Sequence, residues 1–274
     1  MPELPEAETI VRDLRARVPG STVTRVMVTR PDVLHTGLTP AALGRRLKGR
    51  CITGVSRRGK NVVLEFDGPL RLVINLGMTG RVVTSDAARA ADLRHIAVRI
   101  VLDDGRDILY DDSRRFGDLD LRDAEGWRAR DAELGLEPLS DAFTAAALHA
   151  LTRTSIVPIR NWLLDQRRVA GVGNIYAVEA LFRAGIRPTR RAKTLTRRET
   201  AALRDTLRAV LQESIDARGT TISDYRDASG ERGGFDRWLR VYDRAGMPCR
   251  ECGTPIKRVV LSNRSAFYCP HCQK

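Results

Sequence analysis

No apolar run in the sequence approaches the roughly 18 residues that a membrane-spanning helix needs. The N-terminus also lacks the basic-then-apolar order of a secretory signal, so the expected location is the cytoplasm. There is no internal repeat and no low-complexity tract, which leaves an ordinary globular chain whose length suits two domains. Acidic residues are the scarcer charge. Against 47 Lys and Arg stand 34 Asp and Glu, giving a formal net charge of +13 over 274 residues. Such an imbalance is more than a small neutral substrate requires and favours a polyanionic partner, with nucleic acid ahead of an anionic membrane surface. Arginine-rich composition from a GC-rich genome is the bland explanation of the same charge. Cysteine is almost absent from the body of the chain, where Cys51 stands alone and reads as a small core residue.

The other cysteines are concentrated at the end. Cys249, Cys252, Cys269 and Cys272 form C-x2-C, sixteen residues, C-x2-C. This spacing is that of a structural zinc site, because each pair turns two thiolates toward one tetrahedral ion. A disulfide pair is the competing reading, disfavoured without a secretory signal. His271 is available as a substitute ligand, but four thiolates already complete the shell. A closed shell supports folding rather than chemistry.

Periodicity divides the rest. Ala7, Ile10, Val11, Leu14 and Val18 recur at helical spacing, which predicts an amphipathic helix over Pro5 to Val18 with Glu6 and Glu8 near its positive end. From Val23 to about Leu121 the pattern is short and β-rich, with runs at Val62 to Phe66, Leu70 to Leu76, Ile96 to Leu102 and Asp107 to Tyr110. An antiparallel sandwich or barrel follows. Beyond Trp127 helical segments are expected near Ala142 to Leu151, Pro158 to Asp165, Asn174 to Ala184 and Thr196 to Ala217. The boundary falls between Leu134 and Thr154, where Gly135, Pro138 and Ser140 break periodicity.

Several motifs then carry a resemblance: MPELPE at the start, RRGK at Arg57 to Lys60, NLGMTG at Asn75 to Gly80, DDSRRFG at Asp111 to Gly117, VAGVGNIYAVE at Val169 to Glu179, and the cysteine quartet. In this order they resemble the formamidopyrimidine-DNA glycosylase family over the whole chain. The leucine of MPELPE resembles the oxidised-purine branch rather than the endonuclease VIII branch. The resemblance implies an α+β fold of two domains, an N-terminal antiparallel β-sandwich with flanking helices and a C-terminal helix–two-turn–helix domain plus a zinc-finger β-hairpin. Expected boundaries are 1–135 for the catalytic domain, 136–152 for a linker, 153–240 for the helical DNA-binding domain and 241–274 for the finger. DNA would lie between the domains. One structural Zn2+, double-stranded DNA with a damaged base as partner, a monomer, and the bacterial cytoplasm and nucleoid complete the expectation.

The resemblance also implies roles. Pro2, once Met1 is removed, would be the nucleophile, and its chemistry suits this: an α-amine has a pKa near 8, so a useful fraction is neutral at pH 7. Glu3 resembles the general acid/base and Glu6 its helper, although a helix N-terminus alone would explain acidic residues there. Lys60 resembles a phosphate-contacting lysine that assists catalysis; a solvated lysine is the default. Met78, Arg114 and Phe116 resemble the set that fills the hole left by an everted base, where apolar wedges and an arginine donor are useful. Met and Phe in β segments are otherwise usually core. Arg115 is expected to face phosphate, and His95 is grouped with the DNA-contacting residues. Asn174, in the glycine-flanked turn before a helix, suits phosphate gripping, as does Arg264 between the cysteine pairs. No strand precedes the glycines in a βαβ unit, which discounts a dinucleotide site. Gly219 to Phe235 resembles a loop covering the everted base.

Three positions depart from the family pattern: Asn75 for histidine, Ser113 for proline and Arg160 for lysine. They bear on lesion preference. The alternatives are a non-catalytic zinc-containing DNA-binding protein, an RNA-associated zinc protein, and an endonuclease VIII-like enzyme for oxidised pyrimidines.

Overall fold

A helix begins immediately after Glu3. In the computed structural model, which describes residues 2–86, 93–221, 225, 227–228 and 231–274, α1 spans Leu4–Arg15. Pro5 sits in its first turn, where its missing N–H costs nothing. Leu4, Ala7, Ile10, Val11 and Leu14 are buried on one face, and Val18 is buried just beyond the helix end. Ten strands follow in the described residues: β1 (Val23–Val28), β2 (Ile52–Arg58), β3 (Asn61–Phe66), β4 (Arg71–Asn75), β5 (Arg81–Thr84), β6 (Ile96–Leu102), β7 (Asp107–Asp111), β8 (Asp118–Arg122), β9 (Lys257–Leu261) and β10 (Arg264–Tyr268). Two antiparallel four-stranded sheets form, in the orders β1-β6-β7-β5 and β2-β3-β4-β8. Val23, Val98 and Ile100 of the first and Val62, Leu64 and Ile74 of the second join α1 in one apolar core. Alternation along the strands makes this possible, because every second side chain shares a face.

The remaining helices are α2 (Pro40–Leu47), α3 (Ala124–Ala132), α4 (Ala145–Thr152), α5 (Ile159–Leu164), α6 (Asn174–Arg183) and α7 (Arg197–Asp216). The chain forms two compact units: Met1–Ala132 with Ile215–Asp236, and Glu133–Ser214 with Arg237–Lys274. Residues 215–236 thus differ from the sequence boundaries, which put them in the helical domain. Tyr225 and Ala228 enter the core of the first unit, a long-range association that no local pattern encodes. Cys51 is corrected as well. It is half-buried on the bridge to Thr22, not a core residue.

Within the second unit, α5 packs on α6, and α6 packs on the β9–β10 hairpin. Val178 and Phe182 of α6 share a core with Val241, Ile256, Ala266 and Phe267. Glu179 on the same helix is fully buried, accepting from the backbone N–H groups of Arg240, Val241 and Tyr242 at 2.8–2.9 Å. Burial still pushes its carboxyl above the usual range, against the pull of those donors.

Candidate active site and metal centre

The N-terminus of α1 concentrates two buried carboxylates. Pro2 is buried, Glu3 is 3 % exposed and Glu6 is 1 % exposed. Glu6 is held from two sides: Oε2 accepts from Glu3 N at 2.7 Å and Oε1 from Thr220 N at 2.8 Å. The approach of the 219–220 backbone depends on Gly219, whose φ is +90° and whose added Cβ would come within 2.9 Å of Tyr225 and 3.1 Å of Glu6 Oε1. Burial, and then the charge of Glu6, drives the Tyr225 phenol well above its usual range. The loop expected over Gly219 to Phe235 is described only in part, with 222–224, 226 and 229–230 outside the described residues, as is Met1.

Lys60 occupies the two-residue turn between β2 and β3, where Gly59 takes φ +58° and Arg58 pairs with Asn61. A positive φ at the first turn position is the requirement of a type II′ hairpin. Arg57 connects this turn to α1: its Nε donates to Glu8 Oε2 at 3.0 Å and its Nη1 to Gly59 O at 2.9 Å. Nothing local in the RRGK motif or at the helix start signals this link between Arg57 and Glu8.

A second cluster surrounds the turn after β4. Gly77 (φ +57°) lies so close to the Phe116–Gly117 backbone that a Cβ would meet it at 2.4 Å. The loops carrying Met78 and Phe116 are therefore brought together. Asp112, 1 % exposed, is the knot: its carboxylate accepts from Thr79 Oγ1 at 2.5 Å, Gly117 N at 3.0 Å, Tyr110 OH at 3.0 Å and Arg114 N at 3.2 Å. Burial opposes its charge, but these donors win and hold the carboxyl below its usual range; burial and Asp112 together push the Tyr110 phenol up. Asp112 was missed by sequence reasoning, because a buried aspartate in a charged run looks like a solvated one.

Phe116 is 60 % exposed, so the core reading of this residue is wrong. The Arg114 guanidinium lies 4.7 Å from its ring centre, and Met78 is half-buried. Arg115 takes φ +55° and pairs with Asp32 at 3.3 Å. His95 is exposed, with its backbone N bonded to Asp111 at 2.6 Å. Asn75 is committed internally, donating to Asn61 Oδ1 at 3.0 Å and accepting from Gly77 N at 2.9 Å. These two bonds shape the 75–79 turn.

In the second unit Asn174 is the first residue of α6, after an extended Gly173 and a left-handed Gly171 (φ +85°). Its Oδ1 accepts from Arg160 Nε at 3.0 Å and its Nδ2 donates to Ser265 O at 2.9 Å. Arg264 is exposed at the start of β10, beside a hairpin turn in which Ser262 and Asn263 both have positive φ. Beyond it the four cysteine sulfurs lie within 4.8 Å of one another, with Cys252–Cys269 at 3.5 Å and Cys249–Cys272 at 4.0 Å. Those separations bracket the ~3.8 Å edge of a tetrahedron with Zn–S bonds of about 2.3 Å and are far too long for a disulfide. The donor set fits one zinc ion, and His271 is not needed.

Comparison with known proteins agrees with this geometry. The formamidopyrimidine-DNA glycosylase N-terminal domain matches residues 1–119, that family's H2TH domain matches 134–226, and the zinc finger found in FPG and IleRS matches 246–274. The chain is 42 % identical over 280 residues to the formamidopyrimidine-DNA glycosylase of Chloroflexus aggregans, covering 100 % of this chain and 98 % of that one. The glycosylase of Thiobacillus denitrificans is 42 % identical over 274 residues with full coverage of both. Among solved structures, the MutM (Fpg) protein of Thermus thermophilus superposes with a TM-score of 0.88 at 39 % identity, over 99 % of this chain and 98 % of that one. A Lactococcus lactis Fpg in complex with DNA containing an abasic site gives 0.89 at 31 % identity, over 99 % of each. The chain belongs to the formamidopyrimidine-DNA glycosylase family.

Proposed function

We propose that this protein is a bifunctional DNA glycosylase and abasic-site lyase of base excision repair that removes oxidised purines, 8-oxoguanine and formamidopyrimidines, from duplex DNA. The carrying observation is the start of α1, where Pro2 is followed by Glu3 and Glu6, both buried and Glu6 locked from two sides. With Met1 removed, the Pro2 amine attacks the deoxyribose C1′. The C1′–base bond breaks with its electron pair leaving on the base, which takes up the proton the attacking amine gives up. The C1′–O4′ pair then passes to O4′ as the C1′=N bond forms, and Glu3 supplies the proton that O4′ takes. The resulting C1′ iminium is an electron sink. Loss of a C2′ proton expels the 3′ phosphate, a second elimination expels the 5′ phosphate, and hydrolysis frees the amine. Glu6 keeps Glu3 and the 219–220 backbone in register, and Lys60, tied to α1 through Arg57, neutralises phosphate beside the reacting sugar.

Met78, Arg114 and Phe116 fill the space of the everted base, the arginine donating to the orphaned partner base. His95 and Arg115 add contacts on the same unit; Arg115 exchanges Asp32 for phosphate. In the second unit Asn174 and the finger residue Arg264 grip backbone phosphates, and Cys249, Cys252, Cys269 and Cys272 hold the zinc that fixes the finger. The protein acts as a monomer in the bacterial cytoplasm at the nucleoid, with catalysis in 1–135 and 215–236, and DNA gripping in the helical segment and the finger at 241–274.

Borohydride trapping tests this reading. On a duplex carrying 8-oxoguanine, reduction during turnover should yield a covalent adduct that maps to the Pro2 peptide, because only an amine-derived iminium is reducible. Extending the chain ahead of Pro2 should abolish it. Lys60→Ala should slow the reaction without moving the attachment, and Glu3→Gln should cost roughly 10²–10⁴-fold in base release. An adduct at Lys60, or one formed with the terminus blocked, would overturn the assignment.

A further inference from the structure

Arg160 is the largest charged side chain fully buried among the described residues, at 1 % exposure. It lies on α5, and its fork reaches three places at once. Nε donates to Asn174 Oδ1 at 3.0 Å, one terminal nitrogen to Asn161 Oδ1 at 2.8 Å and Leu261 O at 3.1 Å, and the other to Ser265 O at 3.3 Å. Leu261 and Ser265 flank the Ser262–Asn263 turn and Arg264, so the guanidinium grips the hairpin on both sides of that arginine. Asn161 adds a further tie, donating to Ser262 Oγ at 2.8 Å.

We infer that Arg160 is a positioning residue that couples the two phosphate contacts of this unit, by setting the amide orientation of Asn174 and the hairpin bearing Arg264 with one buried guanidinium. The inference rests on the proposed reading of Asn174 and Arg264. The physical argument is directional. Because Arg160 Nε occupies Oδ1, the Asn174 amide must present Nδ2 as its donor side; one hydrogen goes to Ser265 O, and the other has no acceptor among the described residues. An anion at the α6 N-terminus would meet that hydrogen together with the positive helix end. A lysine at position 160 would keep the charge, but a single ammonium with three donors cannot reproduce four bonds spread over a planar fork. Arg160 commits its own donors to protein acceptors, so its effect on DNA passes through its neighbours.

The two roles separate by salt dependence, since a lost ionic phosphate contact lowers the slope of log K against log salt by about one. Equilibrium binding of zinc-loaded protein to a duplex carrying a non-cleavable abasic analogue would be measured over a salt series. The proteins compared would be wild type, Arg160→Lys, Asn161→Ala, Asn174→Ala, Arg264→Ala and Arg160→Lys combined with Arg264→Ala. Zinc content and the thermal midpoint would be recorded for each. Arg160→Lys should bind about tenfold more weakly and lose about one unit of slope although its charge is unchanged. The double variant should lose clearly less than the product of the two single losses, because both changes remove the Arg264 contact and only the change at Arg160 also releases Asn174. Asn161→Ala, at a half-buried site, should lose roughly threefold, as for one neutral hydrogen bond. If Arg160→Lys fails to fold, this variant decides alone. Wild-type affinity and slope in a folded Arg160→Lys, additive losses in the double variant, or an unchanged Asn161→Ala standing alone would overturn the coupling. If Asn174→Ala and Arg264→Ala both bind as wild type, the phosphate reading falls and the coupling with it; losses in those two with none at Arg160 or Asn161 would remove the coupling only.

Discussion

Asp112 and Phe116 sit four residues apart and show how differently neighbouring side chains are used. Phe116 projects a ring that is 60 % exposed, while Asp112 is sealed at 1 % and accepts four hydrogen bonds. Asp112→Asn would place a donor among donors, and should destabilise the protein by about 2 kcal/mol. The folded carboxyl lies below its usual range, so the stability it contributes is full above the unfolded pKa of roughly 4 and is lost as pH falls through the folded value. Thermal midpoints of wild type and variant should therefore differ most at pH 6–8 and converge in acid; a constant difference would assign the effect to shape rather than charge. Phe116→Ala should weaken binding to a stacked lesion duplex by roughly tenfold and to a duplex with an abasic gap by much less, since unstacking a step costs a few kcal/mol. Equal losses on both would show that the ring does not act as a wedge. The motif singles Phe116 out, but its exposure was not legible from local pattern, because a phenylalanine beside a strand has the same pattern whether it points in or out.

At the scale of elements, strong apolar periodicity was readable and weak periodicity was not. The sequence predicts a helix at Pro5 to Val18 against the observed Leu4–Arg15, and a strand at Ile96 to Leu102 that is observed with the same limits. By contrast β2 (ITGVSRR), β5 and β8 are short or charged, and α3 buries none of its residues, so no apolar stripe announces it. For α2 a signal did exist in Thr39, whose side chain accepts from Ala42 N at 3.2 Å just before Pro40. The zinc hairpin was legible because thiolate chemistry allows so few alternatives. Replacing Cys252 with Ser should lower zinc content and DNA affinity together, because the finger core of Ile256, Ala266 and Phe267 is small and relies on the ion. Elemental analysis alongside a binding titration checks this; full zinc occupancy with intact binding would remove Cys252 from the ligand set.

Over the whole molecule the net charge of +13 is a claim about long-range binding. If about four phosphates are neutralised, raising salt fourfold should weaken binding to undamaged duplex on the order of 100-fold. A nearly flat salt response would mean that the arginine content reflects composition rather than a polyanion surface. The sequence by itself determined the zinc ligands, the family and the order of β-rich and helical segments, because each depends on residue type, spacing or local period. Tertiary structure alone decided that residues 215–236 pack with the N-terminal unit, that Glu6 receives Thr220 N, that Asp112 knots two loops, and that Arg160 faces inward to grip Asn174 and the hairpin. Those associations join residues up to 214 positions apart. Pairings of that kind form only when burial brings the segments together and leaves each polar group to find a partner, and local sequence carries no record of which partner it finds.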